Sequence, residues 1–164
     1  ELKESTVGLV GYGAIGQKVA SLVRPFGGKI IFFDDYFTGE TEDTQVSLDE
    51  LVAQADIISM HYRLTPETKN MLNKEHFKKM KSSAVVINSA RSGLINETDL
   101  IEALQTKEIT GAAVDVFEQE PLPADHPYLT LENVTITPHI AGSTIGNFAN
   151  SPKILAKRIL NEYL

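Results

Sequence analysis

The chain has 164 residues, of which 42% are hydrophobic and 23% charged, with a formal net charge of −7 at pH 7 and no cysteine. This length suffices for one domain with a hydrophobic core, and no apolar run approaches the length of a membrane span, so we expect no membrane partner. The acidic charge argues against a nucleic-acid partner, because such proteins present clustered lysine and arginine, and the absence of cysteine fits a cytoplasmic location.

Six short apolar segments predict β-strands. Most are unbroken apolar runs and not alternating ones, which is typical of strands covered on both faces, as in a parallel sheet. The predicted strands are residues 6–10, 29–34, 56–60, 84–88, 109–114 and 134–137.

Helix-like segments alternate with these strands. Residues 14–25 carry an apolar face and end at a proline and two glycines. Ser47 and Glu50 form a capping box, and Asn73 and Asn96 are expected N-caps of two further helices. Repeated β-α-β units predict an α/β fold, a Rossmann-type doubly wound parallel sheet in three layers.

Three glycines follow the first predicted strand with the spacing G-x-G-x-x-G. Between a strand and a helix, this spacing is typical of a dinucleotide-binding turn, although an ordinary glycine-rich loop is the alternative. Gly11 would allow the tight turn, Gly13 would let the backbone approach a pyrophosphate, and Gly16 would let the helix pack on the strand. The N–H groups of Ala14 and Ile15 would then face the phosphates at the positive end of the helix.

The second predicted strand ends in Asp34 and Asp35. A carboxylate at this place accepts hydrogen bonds from the ribose hydroxyls of NAD and repels the 2′-phosphate of NADP. No arginine follows to compensate for that repulsion. The sequence therefore predicts NAD as the cofactor, with Asp34 as the ribose contact and Asp35 as a solvated acid.

Ionisable side chains follow the later predicted strands. Arg91 follows one strand, Asp115 and Glu120 follow the next, and His139 follows the last. Because the carboxyl ends of parallel strands meet at one edge of a sheet, we expect these side chains to lie near the cofactor. Taken singly, each is an ordinary surface residue, but as an ordered set on successive strand ends they predict a catalytic site.

Five motifs in the same order make the chain similar to the NAD-binding domain of the D-isomer-specific 2-hydroxyacid dehydrogenases, with a slightly greater likeness to D-3-phosphoglycerate dehydrogenases. The motifs are GYGAIG, HYRLTPET, NSARSGLIN, DVFEQEP and PHIAGST, at residues 11–16, 61–68, 88–96, 115–121 and 138–144. The resemblance implies that Arg91, Glu120 and His139 are catalytic. From the glycine turn, the acid after the second strand and the resemblance, the expected cofactor contacts are Gly11, Gly13, Ala14, Ile15, Gly16, Asp34, Tyr62, Thr68, Ser89, Ala90, Arg91, Asp115, His139 and Gly142.

These residue types suit the reduction of a 2-keto acid by NADH. A guanidinium binds a carboxylate and the adjacent carbonyl through paired hydrogen bonds. After hydride transfer the oxygen needs a proton near neutral pH, which histidine supplies, and a neighbouring carboxylate favours the imidazolium. We therefore expect Arg91 to hold the substrate, His139 to be the acid/base and Glu120 to be its partner, in the interconversion of a small D-2-hydroxy acid and its 2-keto acid.

The resemblance also bears on domain organisation, because family enzymes are about twice as long as this chain. It implies that residues 1–150 form the NAD-binding domain. It also implies that a final helix at 151–164, with Pro152 in its first turn, returns to a substrate domain absent from this sequence. We expect the isolated domain to be inactive. Its expected partners are that substrate domain, a small 2-hydroxy or 2-keto acid, and a second copy in a homodimer.

Several alternatives are open. An NAD-sensing binding module, like the corepressors that resemble this family, is a second class of function, whereas Glu120 speaks against a formate-dehydrogenase-like enzyme. Arg63 and Ser92 stand where the family usually has Pro and Gly. Arg63 would reach a phosphate of the cofactor or substrate or else point to water, and Ser92 would crowd the nicotinamide or shift its loop. His61 would approach the cofactor or pack, and the four histidines lack metal-ligand spacing, so we expect no metal.

Overall fold

Seven parallel strands form one sheet in the computed structural model, which describes residues 1–163. In chain order they are β1 (Thr6–Val10), β2 (Lys29–Phe33), β3 (Thr44–Gln45), β4 (Ile57–Met60), β5 (Val85–Asn88), β6 (Gly111–Val114) and β7 (Val134–Ile136). Their order across the sheet is β3-β2-β1-β4-β5-β6-β7. The winding therefore runs outward from β1 to β3 and then reverses at β4.

Within residues 1–163, five α-helices and four short 3-10 helices accompany the strands. The α-helices are α1 (Ala14–Val23), α2 (Leu48–Gln54), α3 (Lys74–Phe77), α4 (Glu97–Gln105) and α5 (Ile145–Tyr163). The 3-10 helices are Leu2–Glu4, Arg24–Phe26, Ser92–Leu94 and Pro127–Thr130. No helix in the described part of the chain is long and apolar enough to cross a membrane.

Strand side chains contribute to two hydrophobic clusters. Leu9 and Phe32 pack in one cluster with Ala20 of α1. Ile31 packs in the other cluster with Leu51 of α2 and with buried residues of α3 and α4. Because neighbours along β2 belong to different clusters, the two clusters lie on opposite faces of the sheet. This arrangement confirms the predicted three-layer α/β fold.

The predicted elements agree closely with those observed. All six predicted strands are present, with ends that differ by no more than two residues. Ser47 and Glu50 form the predicted capping box, and the side chains of Asn73 and Asn96 cap α3 and α4. The additional strand β3 lies at the edge of the sheet and pairs only with β2. Its Thr44 is exposed and polar, so no apolar run marks it in the sequence.

The predicted start of the last helix is wrong. The helix α5 begins at Ile145, so Pro152 lies inside it and not in its first turn. The Thr144 hydroxyl accepts a hydrogen bond from the Asn147 N–H at 3.0 Å, which satisfies a free donor at the helix start. Pro152 removes one hydrogen bond from the helix interior but does not end the helix. The division of the chain at residue 150 stays a prediction.

The helix α5 is exposed along the part whose side chains are described, residues 145–162. Its sequence nevertheless carries large apolar side chains. These are Ile145, Phe148, Ile154, Leu155, Ile159 and Leu160, each at least 48% exposed. An apolar surface of this kind is typical of a face that contacts another protein surface.

Replacing Gly16 tests how closely α1 packs on the turn after β1. A Cβ on Gly16 would lie 2.2 Å from the carbonyl oxygen of Gly11, which is backbone and has little freedom to move. We expect Gly16→Ala to lower the free energy of unfolding by about 2 kcal/mol or more, measured by urea denaturation.

Gly146→Ala is the matched control, because it makes the same substitution in α5. There the nearest atom would be the Thr144 hydroxyl oxygen at 4.0 Å. Replacing an exposed helical glycine by alanine is expected to raise stability by roughly 0.5–1 kcal/mol. A Gly16→Ala variant as stable as the wild type would contradict this account of the turn.

Candidate functional site

A crevice lies at the carboxyl ends of β1 and β4, where the strand order reverses. In open α/β sheets, ligands bind at this point. The crevice contains two cavities, with volumes of about 880 Å³ and about 410 Å³. They share the lining residues His61, Tyr62 and Arg63, which follow β4, so the two cavities adjoin each other at this segment.

The three glycines have distinct roles at this crevice. Gly11 has a φ of +101°, and a Cβ there would lie 2.6 Å from the carbonyl carbon of His61. The Gly11 carbonyl occupies the space that a side chain on Gly16 would need. At Gly13, by contrast, a Cβ would meet no atom within 4 Å. The protein itself leaves the space in front of Gly13 open, as a ligand that approaches the backbone requires.

The N-terminus of α1 lies at this open space. Gly13 is its N-cap, no described side chain caps it, and its first turn carries no acidic residue. The backbone N–H groups of Ala14 and Ile15 are therefore left for an anion, and the helix dipole favours negative charge there. Both residues are exposed. A pyrophosphate fits this cradle in charge and in hydrogen-bonding capacity.

Asp34 lines the smaller cavity together with Gly11 and Gly13. One carboxylate oxygen accepts a hydrogen bond from the Tyr12 N–H at 2.7 Å, and the other accepts one from the Tyr36 N–H at 2.9 Å. These bonds orient the carboxylate, and each oxygen still has room for a further donor. This arrangement suits the hydroxyls of a ribose and disfavours an additional phosphate.

The loop after β4 forms the wall shared by the two cavities. The ring of Tyr62 is buried and stacks on Phe33 with centroids 5.9 Å apart, while its hydroxyl accepts a hydrogen bond from the Asp35 N–H. The His61 ring lies 3.0 Å from the Ser59 hydroxyl, and burial lowers the pKa of His61. Both side chains are thus packed, and they line the crevice from beneath.

His139 and Glu120 form a hydrogen-bonded pair at the larger cavity. The Nδ1 atom of His139 lies 2.8 Å and 3.0 Å from the two carboxylate oxygens of Glu120. The hydrogen bond from His139, and after it the one from the Phe117 N–H, lowers the pKa of Glu120. The backbone of His139 has a φ of +53°, a strained conformation of the kind that clusters at functional sites.

Asp115 holds the turn that carries His139. It is only 5% exposed, and its carboxylate accepts hydrogen bonds from the Thr137 hydroxyl and from the N–H groups of Ile140 and Ala141. Burial opposes ionisation, but these hydrogen bonds outweigh it and lower the pKa of Asp115. Asp115 also lines the larger cavity. Its anchoring role has no signal in the sequence, because its partners lie more than 20 residues away.

Arg91 lies on the larger cavity, on a loop that Asn88 shapes. The buried Asn88 side chain donates to the Arg91 carbonyl at 3.0 Å and accepts from the Ala90 N–H at 3.1 Å. The Arg91 guanidinium donates to the Ala90 carbonyl at 2.6 Å and has no carboxylate partner within the described chain. Ser92, where the family usually has Gly, lines neither cavity.

The structure thus brings most of the predicted site residues to one crevice. The predicted contacts that line a cavity are Gly11, Gly13, Ile15, Asp34, Tyr62, Thr68, Ser89, Ala90, Arg91, Asp115, His139 and Gly142. Ala14, Gly16 and Glu120 line neither cavity. Ala14 begins α1, Gly16 packs on the turn, and Glu120 contacts His139. Among residues 1–163, no cluster of three or more His, Asp or Glu is placed to hold a metal ion.

The fold and the crevice together define a dinucleotide-binding domain of the Rossmann type. The chain belongs to the D-isomer specific 2-hydroxyacid dehydrogenase family, because the model of that family's NAD binding domain matches residues 1–141. NAD is therefore the cofactor of this domain, as the Asp34 argument predicts.

Individual relatives support this assignment. The chain is 40% identical to the glyoxylate reductase of Thermofilum pendens, over 98% of this chain and 49% of that protein. It is 43% identical to the D-3-phosphoglycerate dehydrogenase of Methanocaldococcus jannaschii, over 88% of this chain and 28% of that protein. A D-isomer specific 2-hydroxyacid dehydrogenase from Lactobacillus delbrueckii ssp. bulgaricus, solved in its NAD-complexed form, superimposes with a TM-score of 0.90 at 36% identity, over 98% of this chain and 53% of that chain. The chain thus spans about half the length, or less, of these relatives.

Gly13 offers a test of the cradle that leaves the fold intact. We expect Gly13→Ser to keep the wild-type free energy of unfolding, because its Cβ meets no atom within 4 Å and serine is a favourable N-cap. The side chain fills the space in front of the helix, so NADH affinity should fall roughly tenfold or more. Calorimetric titration measures the affinity, and normal NADH binding by this variant would show that the cradle holds no phosphate.

The lowered pKa of Asp115 predicts that the free energy of unfolding decreases at acidic pH. The folded-state pKa of Asp115 lies below its ordinary value, so its contribution to stability is present above about pH 4 and is lost as the pH falls through the lowered pKa. We expect Asp115→Asn to be less stable than the wild type at neutral pH and to lose less stability on acidification. Thermal unfolding between about pH 3 and pH 7 measures this difference.

Asp125→Asn, which changes an exposed acid outside the crevice, is the control for the pH measurement. It should follow the wild-type profile. Parallel profiles of Asp115→Asn and the wild type would mean that the Asp115 hydrogen bonds contribute nothing to stability.

Proposed function

We propose that this domain serves an NAD-dependent oxidoreductase that interconverts a small D-2-hydroxy acid and its 2-keto acid, with Arg91, Glu120 and His139 as the catalytic side chains. The observation that carries the proposal is that His139, whose ring lies 2.8 Å from the Glu120 carboxylate, lines the same cavity as Arg91. The relatives named above include a glyoxylate reductase and a D-3-phosphoglycerate dehydrogenase, and both names denote 2-keto or 2-hydroxy acid chemistry.

Each side chain has a role that follows from its chemistry. The bound nicotinamide supplies or accepts the hydride. Arg91 binds the substrate carboxylate and the neighbouring oxygen through paired hydrogen bonds, for which its guanidinium is otherwise free of carboxylate partners in the described chain. Glu120 contacts Nδ1 of His139 and orients the ring, which leaves Nε2 to carry the proton that is exchanged with the substrate. His139 donates that proton to the oxygen in reduction and removes it in oxidation.

The cofactor contacts form the second part of the proposal. The N–H groups of Ala14 and Ile15 hold the pyrophosphate, Gly13 leaves room for it, and Asp34 holds the ribose through its oriented carboxylate. The remaining contacts proposed are Gly11, Gly16, Tyr62, Thr68, Ser89, Ala90, Arg91, Asp115, His139 and Gly142. Gly11 and Gly16 act by permitting the backbone geometry of the turn.

The activity needs a substrate domain in addition to this one. The chain covers 49% of the Thermofilum pendens relative and 53% of the solved Lactobacillus chain, so the relatives contain as much sequence again. We propose that the apolar side chains of α5 pack on that domain and that the protein works as a homodimer. The domain by itself should bind NAD and reduce 2-keto acids at no measurable rate.

His139 is tested in a protein that joins this domain to its substrate domain. We expect His139→Gln to lower kcat with NADH and a 2-keto acid by about 10²- to 10⁴-fold, because the proton donor is lost, while NADH affinity changes little. The control is His76→Gln, which makes the same replacement on α3, away from the crevice. Unchanged turnover of His139→Gln would remove His139 from the mechanism.

Glu120→Gln tests the role of Glu120 as the partner of His139, apart from the role of His139 as the proton donor. The amide still reaches the ring but carries no charge, so the hydrogen bond that orients His139 is weaker and kcat should fall about tenfold, while NADH affinity stays unchanged. The control is Glu118→Gln, which replaces an exposed acid two residues away. A kcat of Glu120→Gln equal to that of the wild type would contradict the pairing. An intact protein that binds NADH but turns over no 2-keto acid would instead favour an NAD-sensing module.

A further inference from the structure

Arg63 is placed differently from every other basic residue of the chain. Among the lysines and arginines of the described chain, it alone lines both cavities of the crevice, and Arg91 lines the larger one only. Its two neighbours on the shared wall, His61 and Tyr62, have packed side chains that bond to Ser59 and to Asp35. Arg63 is therefore the only one of the three with an exposed, charged side chain at the junction of the cavities.

The backbone at Arg63 is held firmly, whereas its guanidinium is free. The Thr68 hydroxyl donates to the Arg63 carbonyl at 2.8 Å and accepts from the Thr65 N–H at 2.7 Å, which closes the loop. Leu64 packs against Gly93 of the loop that carries Arg91. Within residues 1–163, no carboxylate lies within salt-bridge distance of the Arg63 guanidinium.

The charges around the junction define what Arg63 fits. Asp34 lines the smaller cavity, whereas Asp115 and Arg91 line the larger one. At the segment shared by both cavities, two features favour an anion: the free N-terminus of α1 at Gly13, and Arg63. A fixed loop that presents an unpaired guanidinium near a helix N-terminus matches a phosphate group, which accepts paired hydrogen bonds from arginine.

We propose that Arg63 binds a phosphate group at the junction of the two cavities. The phosphate comes from one of two sources: the pyrophosphate of the dinucleotide, or a phosphate carried by the substrate. The proposal rests on the proposed function for the place of the cofactor, but it concerns binding and not the catalytic side chains. Arg63 thereby determines the preference of the site for phosphorylated ligands.

Titration calorimetry of this chain distinguishes the two sources. If the pyrophosphate is bound, Arg63→Gln weakens NADH and ADP-ribose equally and roughly tenfold, because both carry a pyrophosphate and only NADH carries nicotinamide. If the substrate phosphate is bound, NADH affinity is unchanged. The binding of 3-phosphoglycerate to the NADH-saturated protein that joins this domain to its substrate domain then falls roughly tenfold, whereas glycerate binding is unaffected.

Lys69→Gln is the matched control, because it removes the same charge from the same loop at a residue that lines neither cavity. It should change affinity less than about twofold, and Arg63→Lys should recover part of what Arg63→Gln loses. Added salt should weaken phosphate-ligand binding more for the wild type than for Arg63→Gln, a difference that a merely structural role would not produce.

Equal affinities of Arg63→Gln and the wild type for NADH and for 3-phosphoglycerate would overturn the proposal. So would an equal loss in Lys69→Gln, or the absence of NADH binding by the wild-type chain, since the crevice must hold the phosphate. These titrations measure binding and do not depend on which side chains are catalytic. If Arg63→Gln weakens binding as expected but the joined protein reduces no 2-keto acid, the proposed reaction is wrong and the proposal for Arg63 stands.

Discussion

The crevice depends on a backbone contact between the turn after β1 and the loop after β4. Gly11 and Gly16 lie so close to each other and to His61 that neither has room for a Cβ. The His61 N–H donates to the Val10 carbonyl at 2.6 Å, and the Gly11 N–H donates to the Phe33 carbonyl at 2.8 Å. Three strand ends are thereby joined at the switch point, and the N-terminus of α1 is brought to the crevice. Of the three glycines of this turn, Gly13 is the one at which a Cβ would meet no atom within 4 Å.

In the other half of the crevice, the buried Asp115 carboxylate fixes the backbone. Asp115 gathers the N–H groups of the turn around His139, whose backbone adopts a left-handed conformation that the turn must stabilise. The imidazole ring of His139 is held at its Nδ1 atom by the Glu120 carboxylate. The protein itself thus holds His139 in one orientation, which in the proposed mechanism lowers the cost of organising the site during the reaction.

The two halves are also connected through their loops. The Asn70 N–H donates to the Gly93 carbonyl at 2.7 Å, and Leu72 and Leu94 continue this pairing at 3.0 Å. The loop that presents Arg63 and the loop that presents Arg91 are thus parts of one hydrogen-bonded unit. The backbones that carry Arg63 and Arg91 are consequently held at a fixed spacing, while neither guanidinium has a carboxylate partner within residues 1–163.

Local patterns in the sequence determined much of this molecule. Six strands, the caps at Ser47, Asn73 and Asn96, and the glycine turn were all predictable, because hydrophobic runs and helix caps involve residues close together in the chain. Arg91, Asp115 and His139 were expected at the crevice because parallel strands share one carboxyl edge, whereas contacts such as Tyr62 and Thr68 were expected only from the family resemblance. The two-residue strand β3 was not, because its polar edge position leaves no pattern. The start of α5 was missed because Pro152 was a stronger local signal than the Thr144 cap.

Only the tertiary structure decided how those residues act together. The anchoring of the His139 turn by Asp115, the exclusion of a side chain at Gly11 by His61, and the place of Arg63 between two cavities all join segments that are distant in the sequence. Such contacts depend on strand order and register, which bring distant strand ends within a few ångströms of each other. A single sequence carries no local record of those distances, so they appear only once the sheet is assembled.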